Sequence, residues 1–219
     1  MTHSPAGQEL FSEEMRRLGC DVSRETRDQF EVLLHTLGRW QKAINLVGKG
    51  TLPEAWTRHI LDSAQLLPLI PAKARTLVDL GSGGGFPGLV LAALQPTLEV
   101  VLIESDARKG AFLAEAGRRM GLRNEPKVIV SRIEAAPPAP ADVITARALA
   151  PLGQLLAWAA PHRAAAAICL FHKGKSWQSE LAEAMKDWDI ESQPFSSVTD
   201  RDAVLLRVAQ FRAKSLRDR

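Results

Sequence analysis

Apolar positions change their spacing once along this chain. Over residues 8–70 they recur at three- and four-residue steps, as in Phe30, Leu33, Leu34, Leu37, Trp40 and Ile44, which is the stripe of an amphipathic helix behind a Ser23 cap. The run "PEAWTRHILDSAQLLPLI" predicts a further helix, with Pro53 near its start and Pro68 near its end. From Thr76 the apolar residues bunch into short runs instead: "TLVDLG" (76–81), "VVLIES", "KVIVS" (127–131), "DVITAR" (142–147) and "AAICLFHKG" (166–174). Near-continuous apolar runs are what strands carry when helices cover both faces of a parallel sheet. The helical stretches "PGLVLAALQ", "ARKGAFLAEAGRRMG", "APLGQLLAWAAP" and "SWQSELAEAMKDW" lie between or behind them. "DIESQPFSS" and "DAVLLRVAQF" alternate more and read as two last strands. The alternation predicts an α/β fold with a doubly wound, mostly parallel sheet, over residues 73–219, with an N-terminal helical extension over 1–72 packed on it. Ligands of such sheets bind beyond the carboxyl ends of the strands.

The joint between the first strand and its helix, "VDLGSGGGFPG", holds five glycines in eight residues. It contains a G-x-G-x-x-G spacing at Gly83, Gly85 and Gly88, the fingerprint of a dinucleotide site. Other features favour S-adenosyl-L-methionine, whose methionine half also needs a backbone without Cβ atoms close by. Asp79 precedes Gly81 and Gly83 in a D-x-G-x-G order, where a carboxylate either orders the loop or meets the ligand's ammonium. Pro87 removes one amide from the helix start that would have to cradle a phosphate. Glu104 closes the second strand 23 residues after Gly81, where an acid binds both ribose hydroxyls of either ligand. The short ending leaves no room for the substrate domain of a dehydrogenase. Two more strand ends face the same cleft: Ile133 is placed to pack on adenine with the Glu134 backbone or carboxylate receiving its amino group, and Arg147, closing a buried strand, is placed beside the transferable methyl.

Composition changes this picture little. The chain has 219 residues, 46% hydrophobic and 24% charged, as a soluble globular protein does. Cys20 and Cys169 lie far apart without ligand spacing and read as reduced thiols, not as a disulfide or metal site. No apolar stretch reaches membrane-spanning length and the opening has no signal architecture, so a cytoplasmic, metal-free monomer away from membranes is expected. The net charge of +3 permits an anionic partner. Basic residues cluster at Arg16–Arg17, at Arg39, Lys42 and Lys49, at Arg118, Arg119, Arg123 and Lys127, and in the tail "FRAKSLRDR", which makes nucleic acid a plausible partner.

The segments "WQKAINLVG", "RHILDS", "VDLGSGGGFPGLVLA", "LIESDARKGAFL", "RIE", "VITARALAPL" and "HKGK" resemble the small-subunit ribosomal RNA methyltransferase G family, also called GidB. The likeness runs from about Leu37 to Lys173. It departs at Gln41, where the family often has Asn, a position expected to lie away from the cofactor site. The resemblance implies a Rossmann-like class I S-adenosyl-L-methionine-dependent methyltransferase fold. It implies methylation of N7 of one guanine in 16S rRNA, best presented within the small ribosomal subunit. It also implies cofactor contacts at Gly81, Phe86, Glu104, Ser105, Asp106, Ile133, Glu134 and Arg147. Guanine N7 carries no proton, so no general base is required, and catalysis is positioning. Arg147 is expected to hold the base, and Lys173 to reach its O6 or a phosphate. His59 and Asp62 sit three apart on one helical face and allow two readings, a lid over the glycine loop or a pin to the sheet through a His–Asp hydrogen bond. The Trp40 stripe reads as core and not as a base-stacking platform. Other readings are a methyltransferase of another RNA, a protein or a small molecule, a non-catalytic S-adenosyl-L-methionine-binding protein of the ribosome, and a nicotinamide oxidoreductase.

Overall fold

The computed structural model describes residues 5–215; Arg217 and Arg219 of the basic tail lie outside the described residues. Helices α1 (Pro5–Arg17) and α2 (Arg24–Trp40) open the chain. Ser23 caps α2, its hydroxyl accepting the Thr26 amide at 3.0 Å. The stripe from Phe30 to Leu37 is buried, and Trp40 packs edge-on against Phe112 while donating to Glu115 at 3.0 Å. Trp40 is therefore a packing residue between two helices.

The region 53–70 departs from the single helix its spacing predicts. A π-helical turn (Trp56–Leu61) runs into the short α3 (Asp62–Ala64) and a 3₁₀ turn follows at Leu67–Leu69. The Ser63 hydroxyl donates to the His59 carbonyl at 2.7 Å, competing with the backbone ladder where the turn widens. Pro68 lacks an amide with which to extend the helix.

Seven strands form one sheet: β1 (Thr76–Leu80), β2 (Glu99–Glu104), β3 (Lys127–Val130), β4 (Ala141–Arg147), β5 (Arg163–Lys173), β6 (Trp188–Ser196) and β7 (Val204–Ala213). Their order is β3-β2-β1-β4-β5-β7-β6, parallel except that β7 runs antiparallel to both neighbours. Helices α4 (Gly88–Leu94), α5 (Ala107–Met120), α6 (Leu152–Ala159) and α7 (Trp177–Asp187) make the crossovers. The order reverses at β1 and β4, so the crevice above their carboxyl ends is the place for a ligand. Strand β5 starts three residues earlier than its apolar run, because Arg163 anchors its first turn to the Phe211 carbonyl at 3.0 Å.

One hydrophobic cluster joins Phe11, Phe30 and Trp56 of the N-terminal region to Leu89, Leu102 and Phe112 around the sheet. Phe11, Phe30 and Trp56 pack ring against ring with centroids 5.3–6.0 Å apart. A second cluster on the other face holds Leu155, Phe171 and Leu206. Burying a side chain of this size stabilises by roughly 1.5–3 kcal/mol, which fixes the N-terminal helices to one face of the sheet. Of the predicted basic clusters, Arg17 pairs with Glu13 and Glu14, and Arg39 and Arg119 both lean on Glu115.

Candidate active site

Above the carboxyl ends of β1, β2 and β4 lies a cavity of about 760 Å³. That volume lies in the range of cofactor and small-molecule sites. The glycine loop forms its floor. Gly83 has φ +52°, a left-handed conformation that glycine takes without a Cβ penalty, and its amide donates to Glu104 Oε2 at 2.8 Å. Glu104 Oε1 accepts the Asp106 amide, also at 2.8 Å. The carboxylate is thus held at both oxygens, buried at the end of β2, with lone pairs left for hydroxyl donors. Ser105 is exposed on the cavity wall, whereas Asp106 caps α5 by accepting the Arg108 amide at 2.8 Å.

Asp79 lies under the loop and is fully buried. Thr145 donates to its Oδ1 at 2.8 Å, and Oδ2 has no partner among the described residues. Burial pushes the carboxyl up to about 6, against the pull of the Thr145 hydrogen bond. Its placement is that of a group ordering the loop from below. Beyond Glu104, Ile133 and Glu134 line the wall from a 3₁₀ turn, with the Glu134 carboxylate accepting Trp158 Nε1–H at 2.8 Å.

At the opposite end Arg147 closes β4, and Ala148 after it takes φ +50°, unusual for a residue with a Cβ. The Arg147 guanidinium is met by three acceptors from one π-helical turn and its successor. Nη1 donates to the Arg58 carbonyl at 3.1 Å and to Asp62 Oδ2 at 3.0 Å, and Nη2 lies 3.2 Å from His59 Nδ1. The guanidinium carbon also stands 5.1 Å from the centre of the Phe86 ring, which stacks on His59 at 4.9 Å. His59 Nε2 lies 2.8 Å from the Thr51 hydroxyl. Lys173 is buried beside this group, its ammonium donating to the Ala150 carbonyl at 3.0 Å and pairing with Glu180.

His59 and Asp62 form no hydrogen bond to each other in this arrangement; both are drawn to Arg147. Burial, and then the Arg147 charge, pull the His59 imidazole down to about 4, so it is neutral at pH 7 and accepts at Nδ1. Burial alone would raise the Asp62 carboxyl, but His172, Arg147 and the Thr199 hydroxyl outweigh it and hold the group below its usual range.

These shifts set a pH dependence. A histidine with a depressed folded pKa makes the unfolded chain the better proton binder, so its contribution is lost as pH falls from 6.5 towards 4. His172 and His162 are lowered by burial in the same direction. Asp79 acts oppositely, because its raised pKa favours the folded state as pH falls from about 6 towards 3.8. The melting temperature should therefore drop from pH 7 to pH 4.5, less steeply in His59→Gln and more steeply in Asp79→Asn. Parallel curves for all three proteins would sink this account.

The spacing of motifs did not point to two other walls. Leu46, Val47 and Gly48 line the cavity from the segment after α2. Gln41, expected away from the cofactor site, holds that segment in place: its Oε1 accepts the Leu46 and Val47 amides and its Nε2 donates to the Val47 carbonyl. The β6–β7 loop contributes Ser197, Thr199 and Asp200. Its polar "SSVTDRDA" marks a turn and nothing more specific.

The glycine floor and the doubly held carboxylate, with lone pairs left for hydroxyl donors, suit a nucleoside carrying a short polar chain such as S-adenosyl-L-methionine. Structure comparison finds the same architecture in the cofactor-bound Rv0187 from MTB. It has a TM-score of 0.61 and 14% identity over 95% of this chain and 99% of that one, which bears on the fold alone. The ribosomal RNA small subunit methyltransferase G of Rhodospirillum rubrum is 50% identical over 190 residues, covering 87% of this chain and 93% of its own length. That of Paramagnetospirillum magneticum is 48% identical over 190 residues, covering 86% and 91%. The GidB family model, rRNA small subunit methyltransferase G, matches residues 26–204. With a class I methyltransferase sheet, a glycine-floored cavity and this degree of identity, the chain belongs to the rRNA small subunit methyltransferase G family.

Proposed function

We propose that this protein transfers a methyl group from S-adenosyl-L-methionine to N7 of one guanine in 16S rRNA, within the assembled small subunit in the cytoplasm. The observation that carries the reading is the polarity of the cavity. One end has the loop and Glu104 suited to a nucleoside, and the other has a fixed guanidinium at the end of β4. Gly81, Gly83, Phe86, Glu104, Ser105, Ile133 and Glu134 would hold the cofactor, with Asp79 and Asp106 ordering the segments beneath. When bound, the cofactor supplies an electrophilic methyl group on a sulfonium sulfur.

The chain's own work is placement. Guanine presents N7 as a bare acceptor with O6 beside it on the same edge. Three of the five guanidinium donors of Arg147 are occupied among the described residues, which leaves two directed elsewhere, enough to take O6 and hold the base. Lys173 contributes by tying down the turn after Arg147 through the Ala150 carbonyl. No proton has to leave N7, so placement alone is asked of these residues; holding reactants in line is worth up to roughly 7–11 kcal/mol. Delivery of a base into so enclosed a site requires it to be unstacked from its neighbours.

The test is transfer of labelled methyl to small subunits lacking the modification, to naked 16S rRNA and to bulk protein, followed by strand scission specific for N7-methylguanine. Label at one scissile guanine, greater on subunits than on naked RNA, is expected. Tight cofactor binding with no label in any of the three would overturn the reading.

A further inference from the structure

The three partners of Arg147 all belong to the N-terminal third, but the group that fixes the most important of them does not. Asp62 Oδ2 takes the guanidinium, and Asp62 Oδ1 accepts the Thr199 hydroxyl at 2.7 Å and Gln65 Nε2 at 2.9 Å. Thr199 stands on the loop between β6 and β7, at the far edge of the sheet from β4 in strand order. The same loop is pinned a second time, the Val198 amide donating to Gln65 Oε1 at 2.9 Å and Ser197 Oγ lying 3.2 Å from Gln65 Nε2. Ser197, Thr199 and Asp200 also form cavity wall. The loop therefore both faces the acceptor end and grips the carboxylate behind the arginine. Thr199 and Gln65 together hold Oδ1 while the guanidinium takes Oδ2, and the Thr199 bond to the carboxylate is the shorter of the two.

We propose that Thr199 is a positioning residue for methyl transfer: through its hydrogen bond to Asp62 the β6–β7 loop sets the direction of the Arg147 guanidinium. The inference rests on the proposed function, in which Arg147 holds the acceptor base. Two features separate this from a general stabilising role. The hydroxyl is half-buried at a loop tip, where its removal leaves no cavity in the core, and valine takes away its bond to Asp62 together with a 3.0 Å contact to Ser197 Oγ inside the loop, both of which serine can remake. A loop that closes the acceptor end while orienting the acceptor's partner also makes the C-terminal hairpin part of the site.

The experiment compares the full chain with Thr199→Val, Thr199→Ser, Asp62→Asn and the Asp62→Asn/Thr199→Val double variant. Three quantities are read: kcat on small subunits lacking the modification, the dissociation constant for S-adenosylhomocysteine, and the ¹⁵N–¹H resonances of the Arg147 guanidinium. Thr199→Val is expected to lower kcat roughly tenfold, with cofactor affinity within about twofold, and Thr199→Ser to restore it. In the Asp62→Asn background the valine should add nothing further, since the two act through one contact. The separate guanidinium signals of the wild type should merge in Thr199→Val as the group begins to rotate. An unchanged kcat, additive losses in the double variant, failure of the serine to rescue, or unaltered guanidinium signals would each overturn the proposal. If the wild type methylates no RNA yet its guanidinium signals merge in Thr199→Val, the orienting role of Thr199 stands and the functional reading falls.

Discussion

Glu104→Ala should weaken binding of S-adenosylhomocysteine at least ~100-fold, the largest single effect expected at the cofactor end of the cavity. The side chain accepts two backbone amides, from Gly83 and Asp106, while its remaining lone pairs face the cavity. Hydrogen bonds to a charged group contribute about 1.5–3 kcal/mol each, and a tenfold change in affinity is about 1.4 kcal/mol. Losing a pair to ribose hydroxyls alone accounts for the factor, and the freed Gly83 amide adds to it by loosening the loop. Calorimetric titration reads the constant directly. Glu104→Gln separates the contributions, since an amide keeps the shape but must present N–H to one of the two amides it formerly accepted. Binding within threefold of wild type in the alanine variant would remove Glu104 from the cofactor site.

Gly85→Ala should destabilise the fold by about 3 kcal/mol, whereas Gly83→Ala, two residues earlier, should cost about 1 kcal/mol. Both glycines have positive φ, +85° and +52°, so both substitutions bear the left-handed penalty. They differ in surroundings. A Cβ on Gly85 would stand 2.4 Å from Leu89 Cδ1, 2.9 Å from Leu89 Cγ and 3.3 Å from Leu113 Cδ2, and both leucines are buried. A Cβ on Gly83 meets nothing nearer than the Gly81 carbonyl oxygen at 3.7 Å. Urea denaturation of the two variants checks the difference; equal losses would mean that backbone strain alone governs the loop and packing contributes nothing.

The parts of the fold written locally were legible in the sequence. The runs that became β1 to β5 are apolar because both faces of the sheet are covered, and that requirement acts on each strand separately. The glycine loop was legible for the same reason, since a tight turn needs glycine at the turn itself, and the position of Glu104 followed from the end of the β2 run. The π-helical turn was not, because it differs from an α-helix by one hydrogen-bond step that apolar spacing does not record. The cluster around Arg147 escaped for another reason. Asp62 meets Arg147 across 85 residues and Thr199 across 137, and a contact closed by the fold leaves no pattern near either partner. The sequence singles out Arg147, His59 and Asp62 separately, as a base holder and as a lid or pin, but nothing near any of them joins them to one another or to Thr199. Gln41 shows the same limit at shorter range: its role depends on where the chain after α2 turns back, not on its distance from the glycine loop in sequence.

The widened turn at Trp56–Leu61 also separates folding from function at one place in the chain. Its extra residue shifts the phase of everything after it by about 100°, the angle of one helical step. The Arg58 carbonyl and His59 come from within the turn and Asp62 from the residue just after it, and all three meet a single cation. Removing one residue there would restore ordinary α-helical spacing and give the backbone a more regular ladder, yet it would turn Asp62 off the guanidinium. A residue deleted from this turn is therefore felt at Arg147, 85 residues beyond Asp62, as well as in the turn's own backbone.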